Sequence, residues 1–600
     1  MKHLNSTYLP TFLLVSFLYV TIKYFLSFIE FPSEELILKI IRFTDMEYAY
    51  LVESFSRFDF STDWSNLEKS KKIIGFPIFS TIIHAILFKF LGYYSFLILE
   101  IFFFFLIIYF LFLILSKFED DKIKCFSGIL ILLILCQLIE LGKYYRPEIF
   151  AQLNPITEFV GLRFPRPLTT SIFAFVLLFN LLVLIKKEFL ECKKNIYVIS
   201  ICLALLINSF FHLFFIFFIL TSFCIAYKFI KDDSQSSVAK IQIIVASSFI
   251  VLIGIIIFFT QQYFSENDYA NRIGVHYLTL NDRIQSSLEF LKIFSQIKYL
   301  GMLFLCIATK LFIAKKFKNN NVNDYLLVLF VFVLASFFAP IIFLFISNKV
   351  IVLHHFLTIT KFALFLFIFI SFFFLIKKYL IKKIIILIMF FLPIFLINNF
   401  YVSGINLDKS KEEKKIYDYL KDNDYTKTDK ILFANDFFDH IWFSLGNKYI
   451  SVPSGFSTSL KDHQIENLIF YMFKTFKIDK KNFDEKINNR ECIRECFAAY
   501  FNYKYVVNSI RHYKPLNEEY SKVDVKNIQN ISEIDWWYLI IPNSEKTRLK
   551  DKFINLEFDQ SYSPNLIILT NQEKLFFGEN LSDNYTKVID GRFYRVYKKN

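Results

Sequence analysis

With 600 residues, 55% hydrophobic side chains and a mean hydropathy of +0.43, the chain is too apolar to be a string of water-soluble domains. Its formal charge of +14 is carried largely by lysines in short turns between apolar runs, a mark of membrane topology rather than of a nucleic-acid face. The 13 glycines form no GxGxxG or Walker pattern, which speaks against a nucleotide-binding fold.

The first apolar run, Thr11 to Ile29, is too long for a signal-peptide core and no small-residue cleavage site follows it, so it reads as an anchor. Spans are expected at 9–29, 93–116, 125–142, 168–185, 195–209, 212–230, 240–259, 297–315, 324–346, 355–377 and 383–400, about eleven helices in all. With a cytoplasmic N-terminus, the lysine-dense turns all fall on the cytoplasmic side. They hold Lys117, Lys122 and Lys124; Lys186, Lys187, Lys193 and Lys194; Lys315, Lys316 and Lys318; and Lys377, Lys378, Lys382 and Lys383.

This assignment requires Ile73–Leu91 to lie in the outer interface, because counting it as a span reverses everything after it. Ile78, Ile82, Ile86 and Phe90 recur at helical spacing, Thr81 and His84 fall on another face, and Lys89 interrupts the apolar stripe. A short span is the other reading. Ser33–Phe43 is a second amphipathic piece, with Glu34 and Glu35 suited to the positive end of a helix. The first outer loop, 30–92, is thus built of helices lying on the membrane.

Residues 1–400 form the polytopic domain, and the character changes near Tyr401. In 401–600 short β-like runs (Lys430–Phe433, Lys448–Val452, Tyr503–Val507, Trp537–Ile541, Asn565–Leu569, Phe593–Tyr597) alternate with helical stretches such as Lys461–Lys477. This is the pattern of a soluble α/β domain. An odd number of spans puts it on the non-cytoplasmic side. Cys125, Cys136, Cys192, Cys202, Cys224 and Cys306 fall in or beside spans and form no disulfide framework, whereas Cys492 and Cys496 lie four apart on a helical stretch as a packed pair or a redox or metal pair.

Chemistry-bearing residues collect in the outer loops. If the chain is helical from Met46, Asp45 shares a face with Tyr48, Val52 and Phe55, and Glu47 points about 200 degrees away. Asp45 is then either a helix cap or a carboxylate facing an apolar interior, where its pKa rises into the range of a general base. Asp63, beside Trp64, is a further carboxylate. Arg146, Arg163 and Arg166 stand on proline-stiffened loop segments suited to gripping a phosphate, or to ordinary headgroup contact. His354 and His355, preceded by Lys349 just before an outward-facing span end, could join that anion site or protonate a leaving group, and Arg272, His276 and Arg283 in the third outer loop could do likewise. Glu100, Glu140 and Lys361 are ionisable groups in the outer parts of spans. His212 reads as a packing residue, and no HExxH or CxxC pairing points to a protein-built metal site.

An acidic pair in the first outer loop of a polytopic chain, here Phe43-Thr44-Asp45-Met46-Glu47-Tyr48, resembles the GT-C superfamily, and the span pattern of residues 1–400 resembles its architecture. The resemblance implies a glycosyltransferase that moves a sugar from a polyprenyl-phosphate donor to a glycan, lipid or protein acceptor of the cell envelope. Asp45 would be base or metal ligand, with Glu47 and Asp63 nearby. Arg146, Arg163, Arg166, Lys349, His354, His355, His84 and Glu140 would bind substrate. It implies an inner (plasma) membrane protein with a periplasmic tail and no nucleic-acid partner. A divalent cation could accompany the donor phosphate, but no resident cofactor is required. Other readings are a lipid-linked glycan polymerase or ligase, a non-catalytic envelope scaffold, and a transporter or flippase, which needs polar residues in the inner half of the bundle, where mainly Asn180 stands.

Overall fold

Leu168–Lys186 (α5) is apolar on every side, and such a helix is stable only when surrounded. In the computed structural model its residues from Leu168 to Ile185 are nearly all buried, packed among α3 (Tyr94–Phe118), α6 (Lys193–Ile207), α7 (Phe211–Lys231) and α12 (Asn320–Ile346). The structure describes residues 5–30, 51–62, 70–75, 78–92, 94–145, 159, 168–232, 236–272, 275–317, 320–351, 353–376, 407–423, 425, 431–433, 449–451, 458–489, 543–558, 562–571, 577, 581 and 584–600.

Around α5 stand α1 (Asn5–Glu30), α2 (Phe79–Leu91), α4 (Lys122–Tyr145), α8 (Ser237–Phe264), α10 (Leu280–Phe294), α11 (Ile297–Lys316) and α13 (His354–Leu375). The short α9 (Asn267–Arg272) joins α8 to this far-end layer. Among the described residues seven helices, α3, α5, α7, α8, α11, α12 and α13, are long and apolar enough to cross a membrane. The chain is therefore a helical multi-pass membrane protein. The expected spans at 9–29 and 125–142 coincide with α1 and α4, of 26 and 24 residues. The one expected at 195–209 is the 15-residue α6, about 22 Å long and so shorter than a ~30 Å hydrocarbon layer. The expected span 383–400 lies outside the described residues.

The lysine-rich turns gather at one end of the bundle. Lys124 binds Glu119 at 2.6 Å and the Phe374 carbonyl at 3.3 Å, linking the α3–α4 turn to α13. Lys228 pairs with Asp232 at 2.9 Å, Lys231 with Asp324 at 3.8 Å, and Lys186 hydrogen-bonds Asn321.

The far end is stitched by backbone. The Phe79 N–H donates to the Asn208 carbonyl at 2.9 Å, and the Gln261 amide donates to the Ile74 carbonyl at 2.9 Å. Strand β1 (Val275–Tyr277) pairs antiparallel with β2 (Lys349–Ile351). Helix α2, 13 residues long, buries Ser80, Thr81, His84 and Ala85 and exposes Ile86 and Phe90. Its polar face therefore points into the protein and its apolar face outward. At about 20 Å it is too short to span. Gly92, at φ +53°, makes the reversal into α3.

Helix α14 (Leu407–Asp422) leads into a five-stranded sheet of order β4-β3-β5-β7-β6. Strands β3 (Ile431–Phe433), β4 (Tyr449–Ser451) and β5 (Leu566–Thr570) are parallel, and β7 (Tyr594–Lys599) and β6 (Tyr585–Asp590) add antiparallel. Every residue of β5 is buried, as a central strand covered on both faces requires. Helices α15 (Asp462–Thr475), α16 (Lys480–Asn488) and α17 (Asn543–Asn555) supply a second core through Ile465, Ile469, Phe473, Phe483 and Phe553. Strands β3, β4, β5 and β7 and helix α15 match the expected runs. The expected strands at 503–507 and 537–541, Cys492 and Cys496, and the boundary at Tyr401 lie outside the described residues. Strand β6 carries no expectation, because its exposed Thr586, Lys587 and Val588 show no apolar alternation.

Candidate functional site

Polar groups buried in an apolar bundle mark the place to look for chemistry, and at the far end they come from several helices at once. The first turn of α5 buries three consecutive hydroxyls, Thr169, Thr170 and Ser171. His84 of α2, 1% exposed, shares a 3.0 Å hydrogen bond with the Thr169 hydroxyl. Its ring lies 5.3 Å from that of Phe103 and 6.2 Å from that of Phe96, both on α3. Burial pushes its imidazole well below the usual range, so it is neutral at pH 7 and offers one donor and one acceptor. Glu100, 4% exposed, sits on α3 between those two phenylalanines. The buried hydroxyls of Thr81, Ser95 and Ser171, one from each of the three helices, have no hydrogen-bond partner among the described residues.

A second cluster forms where α7 and α13 begin. The His212 ring lies 5.1 Å from that of His355, which lies 4.3 Å from His354, and Phe210 and Phe356 close the group at 5.2 Å and 4.8 Å. His212, read from sequence as a packing residue, is 3% exposed among these rings, and His355 and Phe356 come from a helix more than a hundred positions away. Lys361 follows on α13, half-buried. Among residues 146–167, Phe159 is described, and it stacks on Phe362 of α13 at 3.9 Å. The first turns of α5, α7 and α13 thus all face the far end, each presenting the positive end of its dipole there. Lys349 stands apart on β2, its ammonium over the Tyr277 ring at 5.9 Å.

In the first outer loop residues 51–56 are helical, and Val52 and Phe55 are buried on the face that the helical register assigns to Asp45. The carboxylate described in this loop is Glu53, which sequence reading passed over. It accepts from Arg57 at 2.9 Å, is 12% exposed, and leaves its second oxygen buried without a hydrogen bond among the described residues. Burial, opposed by Arg57, pushes its carboxyl up to about 7. Asp45, Glu47, Asp63, Arg146, Arg163 and Arg166 lie outside the described residues, as do the side chains of Glu140 on α4 and His276 on β1.

Arg272 is corrected. Grouped by sequence with an anion site, it instead ends α9 with its side chain wholly buried, donating to Asp462 Oδ1 at 2.6 Å and to the carbonyls of Thr458 and Leu460 at 3.0 Å and 2.9 Å. The Asp462 N–H donates to Asp268 at 3.1 Å. Ser459, next to these carbonyls, donates to Ser61 and Lys72 at 2.7 Å and 2.8 Å. The segment opening α15 is thereby clamped to both the first and the third loop at the far end.

Among the described residues no group of three His, Cys, Asp or Glu is placed to hold a metal, so a cation there would depend on carboxylates such as Asp45. Asn180, in the inner half, donates to the Val176 carbonyl at 2.7 Å and accepts from Asn195 at 2.6 Å. Comparison with family models, with curated proteins and with solved structures found no match.

Proposed function

We propose that the chain is a membrane glycosyltransferase of the GT-C kind, taking a sugar from a polyprenyl-phosphate donor at the far end of the bundle and passing it to an envelope acceptor. The observation that carries this reading is the gathering of the buried His212 with the half-buried His354 and His355, and of buried hydroxyls beside His84, where α5, α7 and α13 begin, at the end to which the segment opening α15 is clamped. Helix N-termini with imidazole and hydroxyl donors suit a phosphate leaving group. Asp45 would orient and deprotonate the acceptor, with Glu47 and Asp63 nearby. His84, His354 and His355 would donate to the departing phosphate, and Arg163 and Arg166 would hold it. Any divalent cation would bind between the donor phosphate and Asp45, adding positive charge where the leaving group departs.

Asn180 is engaged in packing and gives a polar transport path no support in the inner half. The test is transfer by the purified protein from a panel of polyprenyl-phosphate sugars. Asp45→Asn should abolish transfer while the protein stays folded, and Arg163→Ala and Arg166→Ala should weaken donor binding. Full transfer by Asp45→Asn would remove the proposed base.

A further inference from the structure

Helix α11 begins deeper than its neighbours. The rings of Phe294 and Tyr299, on either side of the turn at Ser295–Gln296, both pack on Phe337 of α12, at 4.6 Å and 6.5 Å. The first turns of α7 and α13 are level instead with Phe343, whose ring meets Phe211 at 5.2 Å, Phe215 at 5.5 Å and Phe356 at 5.9 Å. Six residues along α12 correspond to about 9 Å. Helix α10 covers that drop. It starts beside the far end of α12, where the Leu278 N–H donates to the Asn348 carbonyl at 2.8 Å and Arg283 to the Leu344 carbonyl at 3.4 Å, and it runs inward to Phe294. Together α10 and α11 make one interrupted crossing.

The side of this elbow turned away from the protein is amphipathic. Leu280, Ile284, Leu288 and Leu291 are 61%, 44%, 58% and 50% exposed, which suits acyl chains and continues the lipid-facing surface of α11 at Leu300 and Phe304. At the bottom of the drop, however, Lys292, with Glu289 3.8 Å away, and Ser295, Gln296 and Lys298 are also exposed. Two ammonium groups and a carboxamide about 9 Å inside a hydrocarbon layer would go unsolvated, and irregular backbone facing lipid at that depth is not tolerated.

We infer that the α10–α11 elbow draws the far-end leaflet inward by about 9 Å, holding anionic phospholipid headgroups against Lys292 and Lys298. The inference is independent of the transfer reaction. The opposite flank supplies a reference at similar depth: Phe218 of α7 is 43% exposed and lies three and seven residues, about 5–10 Å, inward of Phe215 and Phe211, whose rings meet Phe343.

The test places nitroxide labels at Gln296→Cys and Phe218→Cys, one at a time, in the full chain with its other cysteines retained in their buried sites, and reconstitutes each variant in phosphatidylglycerol–phosphatidylcholine nanodiscs. The expected result is that a water-soluble relaxation agent reaches the label at 296 and oxygen dominates at 218. Shielding of both labels would overturn the inference, since the elbow would then sit in hydrocarbon. Access to both would also overturn it, since the membrane edge would then lie lower all round with no local dip. In the same discs, Lys292→Ala with Lys298→Ala should reduce the preference of spin-labelled phosphatidylglycerol over phosphatidylcholine by about fivefold per lysine. An unchanged preference would remove the headgroup contact.

Discussion

The two ends of the helix bundle treat charge in opposite ways. At the lysine end, Lys124 with Glu119 and Lys228 with Asp232 are partners within five residues of each other along the chain. Both of these charges are neutralised near where they arise, although Lys231 and Lys186 reach across to Asp324 and Asn321 at the same end. At the far end the partners are remote: His84 meets Thr169, 85 positions on, and Arg272 meets Asp462, 190 positions on. Burying polar groups from distant elements together requires the whole fold to be in place, and leaves hydroxyls such as Thr81 and Ser171 with no bond among the described residues. The lysine end holds mainly local ion pairs, and the far end holds buried polar groups drawn from distant elements.

Variants at the two ends test that contrast. The largest effect belongs to Arg272→Ala, which strands the carboxylate of Asp462 and two buried carbonyls and should loosen domain docking by about 3–5 kcal/mol. Limited proteolysis should then cut around residues 458–462 while the bundle stays intact. A cleavage pattern like that of the parent would show the clamp to be dispensable.

Glu53→Gln comes next. Because the folded chain raises this carboxyl from 4.5 to about 7, the fold retains a proton that the unfolded chain releases. The associated stability is full below pH 4.5 and is lost as pH rises through 7, up to ~3 kcal/mol in all. The variant should match the parent at pH 4.5 and melt higher at pH 8; equal melting temperatures at both pH values would contradict it. Thr169→Val leaves the His84 nitrogen facing a methyl group and should cost about 1–3 kcal/mol, read as a lower melting temperature in detergent. Lys231→Ala, at the lysine end, removes a half-exposed 3.8 Å pair and should change stability by less than about 1 kcal/mol. A Lys231 effect as large as that of Arg272 would erase the distinction between the ends.

Much of the fold was legible in sequence because its signals are local. Runs of apolar residues marked the crossing helices, and lysine-dense turns such as Lys186–Lys187 and Lys193–Lys194 collect at one end as the charge rule requires. Strands β3, β4, β5 and β7 stood out as short apolar runs, whereas β6, an edge strand mostly facing solvent, carried no such signal. Site residues were legible only as an inventory. Thr169-Thr170-Ser171 at the head of an apolar run was a readable sign of buried hydroxyls, yet its pairing with His84 arises from the packing of α2 against α3 and α5. Arg272 looked like every other loop arginine, and only the docking of Thr458–Asp462 gives it a structural role. The depth at which α11 begins was hidden, although its start at Ile297 was legible, because depth is set by packing on Phe337 of another helix.

The most direct measurement of the central claim is mass spectrometry of envelope glycolipids and glycoproteins from cells carrying the parent chain, the Asp45→Asn variant or no copy. The account predicts one sugar missing from the same acceptor in the last two, with the variant present in the membrane at parental level. Identical glycan profiles in all three would contradict it.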